Sequence, residues 1–423
     1  MDADAWRIVQ SGFNLFSTGI YQPSRFPGYP LPEFIAGAIW LTNLPFTTPW
    51  IFNLVSALFS VTAAYYFLCI SIRFIHKKRF VIYLSAVTFA FIPVIYVNST
   101  GMMDYNWALA FMLGAIYYLI SKRLKLSALF LAFATGCRIT SALFIIPVLF
   151  YVITSIDIES RKRKILEYVI IFTSTAVIIF SPVIFKYGTA FLSFDRPPYQ
   201  YSIIKIIGRM TLRTWGAIGS LGVLFAGLMY FVSGKKKIHQ KLIDKNKLVV
   251  FVLISIVIYL ILFLSLPLDA GYLIPMVPFF VLLLYRILSQ KVLISLSLLL
   301  LISPFVLNID ENNITLAGPI LIDSHKRIEE ENYVMKVINL AKSSNKPSLI
   351  ICESFLPKIQ VMMILQREAV PKNVNFIYMI PFDSLKSIVK NENPEIFYLK
   401  NVRGETLAIY NYDLDSFGVK EIN

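Results

Sequence analysis

The strongest constraint on this chain is a succession of apolar stretches, each near the length of a bilayer-spanning helix. A span needs about 20 mostly apolar residues, and somewhat fewer where the protein thins the path. Stretches that approach this are 48–73, 79–97, 105–121, 124–136, 139–156, 166–186, 213–233, 247–267, 272–288 and 291–308. The segment 124–136 is short enough to be re-entrant instead of spanning. One soluble core could not bury so much apolar surface, since 57% of the 423 residues are hydrophobic and 15% charged. The expected fold class is a polytopic α-helical membrane protein with about ten transmembrane helices.

Charge supplies the orientation. The formal net charge of +15 would suggest a nucleic-acid partner in a soluble chain, but here the basic residues sit in short clusters between apolar runs. Topology accounts for them, so membrane lipids and not nucleic acid are the expected surroundings. The clusters are Arg73 with His76, Lys77, Lys78 and Arg79; Lys122, Arg123 and Lys125; Arg161 to Lys164; Lys235, Lys236, Lys237 and Lys241; and Arg286 with Lys291. With the spans above, all fall on one side, which the positive-inside tendency makes cytoplasmic. The loops carrying Asp104, residues 188–212 and Asp269 then face outward together with both chain ends.

Residues 1–46 form an outer region ahead of the 47–308 membrane domain. They hold an amphipathic stretch (Trp6, Ile8, Val9, Phe13, Leu15, Phe16), a Pro-rich turn and a short apolar helix near 33–44, expected to lie along the interface. No cleavable signal peptide is visible at Met1-Asp-Ala-Asp-Ala-Trp. From residue 309 the composition becomes that of a small extracytoplasmic α/β domain, 309–423. Strands are expected at Ile320–Asp323, Ser348–Cys352, Phe376–Ile380, Ile396–Leu399 and Thr406–Tyr410, and helices at 326–342, 357–368 and 384–391, with Asp383-Ser384 at a helix N-cap.

Three sets of residues could carry chemistry. Cys69, Cys137 and Cys352 lie far apart without CxxC spacing, and His76, His239 and His325 fall in loops, so neither type points to a metal or redox centre. The outward acids Asp2, Asp4 and Asp104 are costly to place at a bilayer boundary, although Asp104 equally suits the N-cap of the helix that follows it. Asp4 and Asp104 could share a divalent metal, but two carboxylates do not require one, and no cofactor is expected with certainty.

The outward cations Arg25, Arg138, Arg196, Lys205, Arg209 and Arg213 run against the positive-inside trend, as side chains do when they serve an anion. Snorkelling to lipid headgroups is the competing explanation. Arg209 and Arg213 are four apart and share a face on a helix. Tyr21, Tyr29, Tyr105, Trp107, Tyr199, Tyr201, Trp215 and Tyr272 could stack on sugar or form an interfacial aromatic belt. Asn98-Ser-Thr and Asn313-Ile-Thr match the weak N-glycosylation pattern.

The order of certain motifs resembles the GT-C class of membrane glycosyltransferases, in the branch of protein O-mannosyltransferases and lipid A aminoarabinose transferases. The motifs are Asp2-Ala-Asp-Ala-Trp, Tyr21-Gln-Pro-Ser-Arg-Phe-Pro-Gly-Tyr-Pro-Leu-Pro-Glu-Phe, Met103-Asp-Tyr-Asn-Trp-Ala, Gly136-Cys-Arg-Ile-Thr and Asp269-Ala-Gly-Tyr-Leu-Ile-Pro, spread over residues 1–290. That class ordinarily begins with a span entering the first outer loop, which this chain lacks, so either such a span is expected upstream of Met1 or neighbouring segments deliver the loop outward.

The resemblance implies an inverting transfer of a hexosyl or pentosyl group from a polyprenyl-phosphate donor. The acceptor would be a protein hydroxyl, a lipid-linked glycan or a surface polysaccharide. It implies Asp4 as general base, with Asp2 as rival, and Asp104 orienting acceptor or sugar. Arg138, with Arg209 or Arg213, would hold the leaving phosphate beside Tyr272, Arg25 would line the entrance, and Glu33, Tyr105 and Asp269 would contact acceptor or sugar. Such an enzyme would be a multi-pass protein of the cell membrane or an endoplasmic-reticulum equivalent. A transporter or lipid flippase is the alternative, expected to show broken helices in two related halves and ionisable groups near mid-membrane. A non-catalytic scaffold displaying the C-terminal domain is a third reading.

Overall fold

The computed structural model describes residues 3–42, 49–155, 158–192, 201–232, 247–309, 314–352, 355–366, 371–377, 387, 390, 394–399 and 420–422. They divide into two compact units, one of Ser11–Ser324 and one of Met1–Gln10 with His325–Asn423.

The Ser11–Ser324 unit is built of helices. In chain order they are α1 (Ala3–Thr18, shared with the other unit), α2 (Pro30–Leu41), α3 (Pro49–Phe74), α4 (Arg79–Ala90), α5 (Pro93–Ser99), α6 (Asp104–Ile120), α7 (Leu124–Cys137), α8 (Ile145–Ser155) and α9 (Ile158–Tyr187). There follow α10 (Ile203–Gly208), α11 (Ala217–Val232), α12 (Lys247–Ser265), α13 (Val277–Ile287) and α14 (Gln290–Ile302). Among the described residues, 4 helices are long and apolar enough to cross a bilayer: Trp50–Phe74, Ile158–Tyr187, Ile203–Val232 and Lys247–Ser265. The count is 5 if α4 and α5, bent by 60° at Phe91 and Ile92, are one broken span. Pro93 opens α5 and cannot continue the α4 ladder, which accounts for the bend within the 79–97 stretch.

Every other stretch picked out by its hydropathy is also helical, but shorter. The 291–308 stretch stays helical only to Ile302; Ser303 and Pro304 end it, and Val306–Ile309 is strand β1, paired antiparallel with β2 (Ile314–Ala317). α6 is the helix most enclosed by its neighbours, burying 13 of its 17 residues, including Asp104, Asn106 and Trp107. Trp107 donates to Ser56 Oγ at 2.8 Å and is core, not a sugar platform. Trp215, at 5% exposure, is likewise buried.

The basic clusters read from the sequence meet one another. Arg73 donates to Ser121 Oγ at 2.5 Å, Lys77 to the Leu288 carbonyl at 3.0 Å and Arg286 to the Phe74 carbonyl at 2.8 Å. Lys125 pairs with Glu167 at 2.9 Å. The turns at 74–79, 121–124 and 287–290 therefore lie together, with Glu167 of α9 against Lys125. The Lys235–Lys241 cluster lies outside the described residues.

In the second unit, β3 (Ser348–Ile351) is central and parallel to both β4 (Val374–Ile377) and β5 (Glu395–Leu399), and β6 (Lys420–Ile422) extends the sheet beside β5, in the order β4-β3-β5-β6. Helix α15 (Pro319–Ser343), which begins in the first unit, and α16 (Leu356–Leu365) accompany it. All of β3 is buried, as a strand of a parallel sheet covered on both faces must be. The strand expected at Ile320–Asp323 is instead the first turn of α15. Pro319 presets a helical φ there, and a four-residue apolar run does not distinguish strand from helix. Strand β6 had no sequence signal. The expected strand Thr406–Tyr410 and the Asp383-Ser384 cap lie outside the described residues. Gln10 of α1 donates to Gln360 of α16 within this unit.

Candidate functional site

The Pro-rich segment between α1 and α2 is shaped by a buried carboxylate. Glu33, 0% exposed in the first turn of α2, accepts hydrogen bonds from Ser24 N at 2.7 Å, Tyr29 N at 3.3 Å and the Tyr21 hydroxyl. Burial pushes the Glu33 carboxyl above the ordinary carboxylate range, against the pull of these donors, and raises the Tyr21 phenol as well. Between the two anchored flanks, Gly28 N bonds to the Arg25 carbonyl at 2.7 Å, and Gly28 has φ +93°, open to glycine. The turn this closes carries Arg25. Glu33 thus builds the loop, and its carboxylate oxygens are already engaged.

Arg25 reaches Asp104. Its Nη2 lies 3.4 Å from Asp104 Oδ1, its Nε donates to the Tyr29 hydroxyl at 2.9 Å, and its guanidinium sits 4.6 Å from the centre of the Tyr29 ring. Asp104 is the first residue of α6, where the helix dipole favours an anion. It is not the N-cap: that position is Met103, with no side-chain cap bond. Both Asp104 oxygens go instead to arginines, Oδ2 accepting from Arg138 Nη1.

Arg138 stands at a break. α7 ends at Cys137, Arg138 is extended (φ −155°, ψ 113°), and the chain resumes as a 3₁₀ turn, Ile139–Phe144. Leaving the helical cylinder frees its side chain to reach Asp104, and it is 5% exposed. The guanidinium lies 4.1 Å from the centre of the Tyr105 ring and 4.5 Å from that of Tyr272. The two rings meet edge to face at 6.1 Å. Such cation–π contacts offset part of the cost of burying the charge.

Tyr272 belongs to the 3₁₀ turn Ala270–Leu273, capped by Asp269, whose Oδ1 accepts from Gly271 N at 2.6 Å. A side chain at Gly271 would have its Cβ 2.7 Å from Tyr105 Cζ, so glycine is what lets this turn lie on Tyr105. Two guanidiniums and one carboxylate leave a net +1 beside a cavity of about 370 Å³. Arg25, Tyr29, Arg138, Thr140 and Tyr272 line it together with apolar walls from Phe26, Pro27, Ile139, Phe191, Leu192, Leu266 and Leu268. A cationic spot in an otherwise greasy pocket suits an anion attached to an apolar body.

Of the residues singled out in the sequence, the structure brings together Arg25, Asp104, Tyr105, Arg138 and Tyr272, with Asp269 supporting them. Arg209 is half-buried: it donates to the Pro267 carbonyl, next to the cavity wall, and covers the Tyr201 ring at 4.3 Å. Arg213 is exposed, and a π-helical turn, Arg209–Arg213, replaces the α-helical geometry that would have set the pair on one face. Asp4 belongs to the other unit, where it pairs with Arg7 at 3.4 Å. Asp2, Arg196, Tyr199 and Asn313 lie outside the described residues, and Asn98 is half-buried, bonded to the Val94 carbonyl at 2.7 Å. Among the described residues no three His, Cys, Asp or Glu side chains form a metal-binding group. Tyr29 is the member that the sequence left open between a sugar platform and an aromatic belt; its one further signal was its place four residues after Arg25. No protein-family model matches the chain, and no curated protein matches it significantly.

Proposed function

We propose that this chain is a multi-pass membrane glycosyltransferase that uses a polyprenyl-phosphate sugar at the outer face of its membrane. What supports the reading is the pair of guanidiniums, Arg25 and Arg138, joined at one buried carboxylate on the wall of an apolar cavity. In this reading all ten apolar stretches cross or enter the bilayer, the short ones packed where protein replaces lipid, and residues 309–423 are extracytoplasmic.

The phosphate of the donor sits at Arg25 and Arg138 with its polyprenyl chain along the apolar walls. An acceptor hydroxyl attacks the anomeric carbon from the face opposite the phosphate. Its oxygen bonds to that carbon as the carbon–phosphate-oxygen bond breaks, the configuration inverts, and the lipid phosphate leaves with the bonding electrons. The guanidiniums stabilise the charge that grows on the departing oxygen. A carboxylate takes the hydroxyl proton. Asp104, already committed to two arginines, is poorly suited to that task.

The test incubates membranes containing the full chain with labelled polyprenyl-phosphate sugars and compares wild type with Arg25→Ala and Arg138→Ala. Transfer that survives both substitutions rejects the residue roles. A second reading, transport or lipid flipping, is favoured by the 60° bend between α4 and α5. Failure to release lipid phosphate from any donor would support it.

A further inference from the structure

A second cavity, of about 530 Å³, lies at the opposite end of α6. Its first lining residue on that helix, Leu119, follows Asp104 by a rise of roughly 22 Å. The cavity is framed by the turn from α6 to α7, the end of α8 and the start of α9. That turn is tight: Lys122 adopts a left-handed backbone (φ 59°), and Arg123 N bonds to the Tyr118 carbonyl at 2.9 Å. The result is two adjacent cations on the rim, with Lys125 and Lys164 also lining the cavity. Glu167 alone opposes them among the lining residues, and it already pairs with Lys125 at 2.9 Å. The inner wall is apolar, made by Leu119, Leu124, Leu126, Tyr151 and Val152. Beside the rim, Ile153 on α8 and Leu166 and Ile170 on α9 are exposed at 43%, 61% and 55%, so apolar surface continues from the cavity along the helices.

We propose that this cavity binds one anionic phospholipid of the cytoplasmic leaflet, its phosphate held by Lys122, Arg123 and Lys164 and its acyl chains lying on the apolar surface beside α8 and α9. The surplus of three positive charges selects an anion, and the apolar continuation selects a lipid over a free phosphate. The inference rests on the chain being a membrane protein and is independent of glycosyl transfer, because its test needs no sugar donor.

The test is native mass spectrometry of the full chain in detergent, titrated with phosphatidylglycerol, with phosphatidylcholine of the same chains, or with inorganic phosphate. One phosphatidylglycerol is expected to stay bound, at least tenfold tighter than phosphatidylcholine. The Lys122→Ala/Arg123→Ala/Lys164→Ala variant is expected to bind it roughly a hundredfold more weakly, and Lys291→Ala, a cation outside the cavity, to bind as wild type. Should the triple variant not purify, Lys122→Ala alone is expected to weaken binding about fivefold. Equal binding of the two lipids, an equal loss in Lys291→Ala, or full displacement by millimolar inorganic phosphate would overturn the proposal.

Discussion

Arg138 and Asp104 form an ion pair at 5% and 0% side-chain exposure, and they sit at the two open ends of one helical hairpin. Asp104 begins α6 and Arg138 follows the last residue of α7, and the turn at Ser121–Arg123 folds one helix back on the other. The helices have 17 and 14 residues, so at 1.5 Å per residue their lengths differ by only about 5 Å and the distant ends come level. Arg25 then joins from a third segment, at 3.4 Å from the same carboxylate.

Removing one partner of this pair leaves the other buried without full compensation. Arg138→Ala is expected to lower stability by about 3 kcal/mol, read as the unfolding midpoint in detergent. Arg138→Lys keeps the charge but loses the planar fork and its stacking on Tyr105 and Tyr272, so the proposed sugar transfer should fall further than stability does. Equal stability of Arg138→Ala and wild type would refute the buried pair.

Gly271→Ala drives a methyl group toward Tyr105 Cζ at 2.7 Å and Asp269 Oδ1 at 2.8 Å. Overpacking of this kind is expected to cost about 1–3 kcal/mol and to shift Tyr105 from beneath Arg138. The combination Gly271→Ala/Tyr105→Leu should recover stability, though not transfer, because the clash is relieved while the ring is lost. Thermal unfolding alongside the transfer assay separates the two effects.

Lys358, 5% exposed in the first turn of α16, faces Glu330 at 3.8 Å. Burial pulls its ammonium below the ordinary lysine pKa of 10.5, more than the nearby carboxylates raise it. Between the lowered folded pKa and 10.5 the unfolded chain binds more protons, so stability rises with pH through that window. Lys358→Met should therefore stabilise the unit most at neutral pH, where the lysine is charged in both states. Its advantage should vanish above pH 10.5. Hydrogen exchange of the Ser348–Ile351 amides in the full chain, compared between variants at each pH, reads this difference. An advantage that grows with pH would contradict the burial argument.

The contacts among basic turns predict which residues share a membrane side. A thiol-reactive, membrane-impermeant reagent should label Lys122→Cys and Lys291→Cys only from the cytoplasmic face of oriented vesicles. It should label Asp269→Cys only from the other face. Labelling of Asp269→Cys and Lys122→Cys from one face would dismantle the proposed topology.

Some of this could be read from residue types alone. Apolar run length located the helices, because a segment rich in Leu, Ile, Val and Phe must either be buried or face lipid whatever its neighbours are. Arg25 and Arg138 stood out as cations against the charge bias and Asp104 as an acid at a bilayer boundary, since a charge placed where neither water nor topology favours it needs a partner.

Which partner each would find depended on contacts between segments far apart in the chain. Asp104 looked equally like a helix cap until the α6–α7 hairpin delivered Arg138 to it, and Glu33 looked like a ligand contact until the 21–29 turn closed around its oxygens. Arg209 and Arg213, alike in sequence, part ways because a π-helical turn leaves one against the Pro267 carbonyl and the other exposed. Strand and helix at Ile320–Asp323 differ by the φ that Pro319 imposes one residue earlier, a bias too small to outweigh an apolar run read by itself. Local sequence sets what a segment must hide from water, but geometry across the fold decides which polar groups meet once it is hidden.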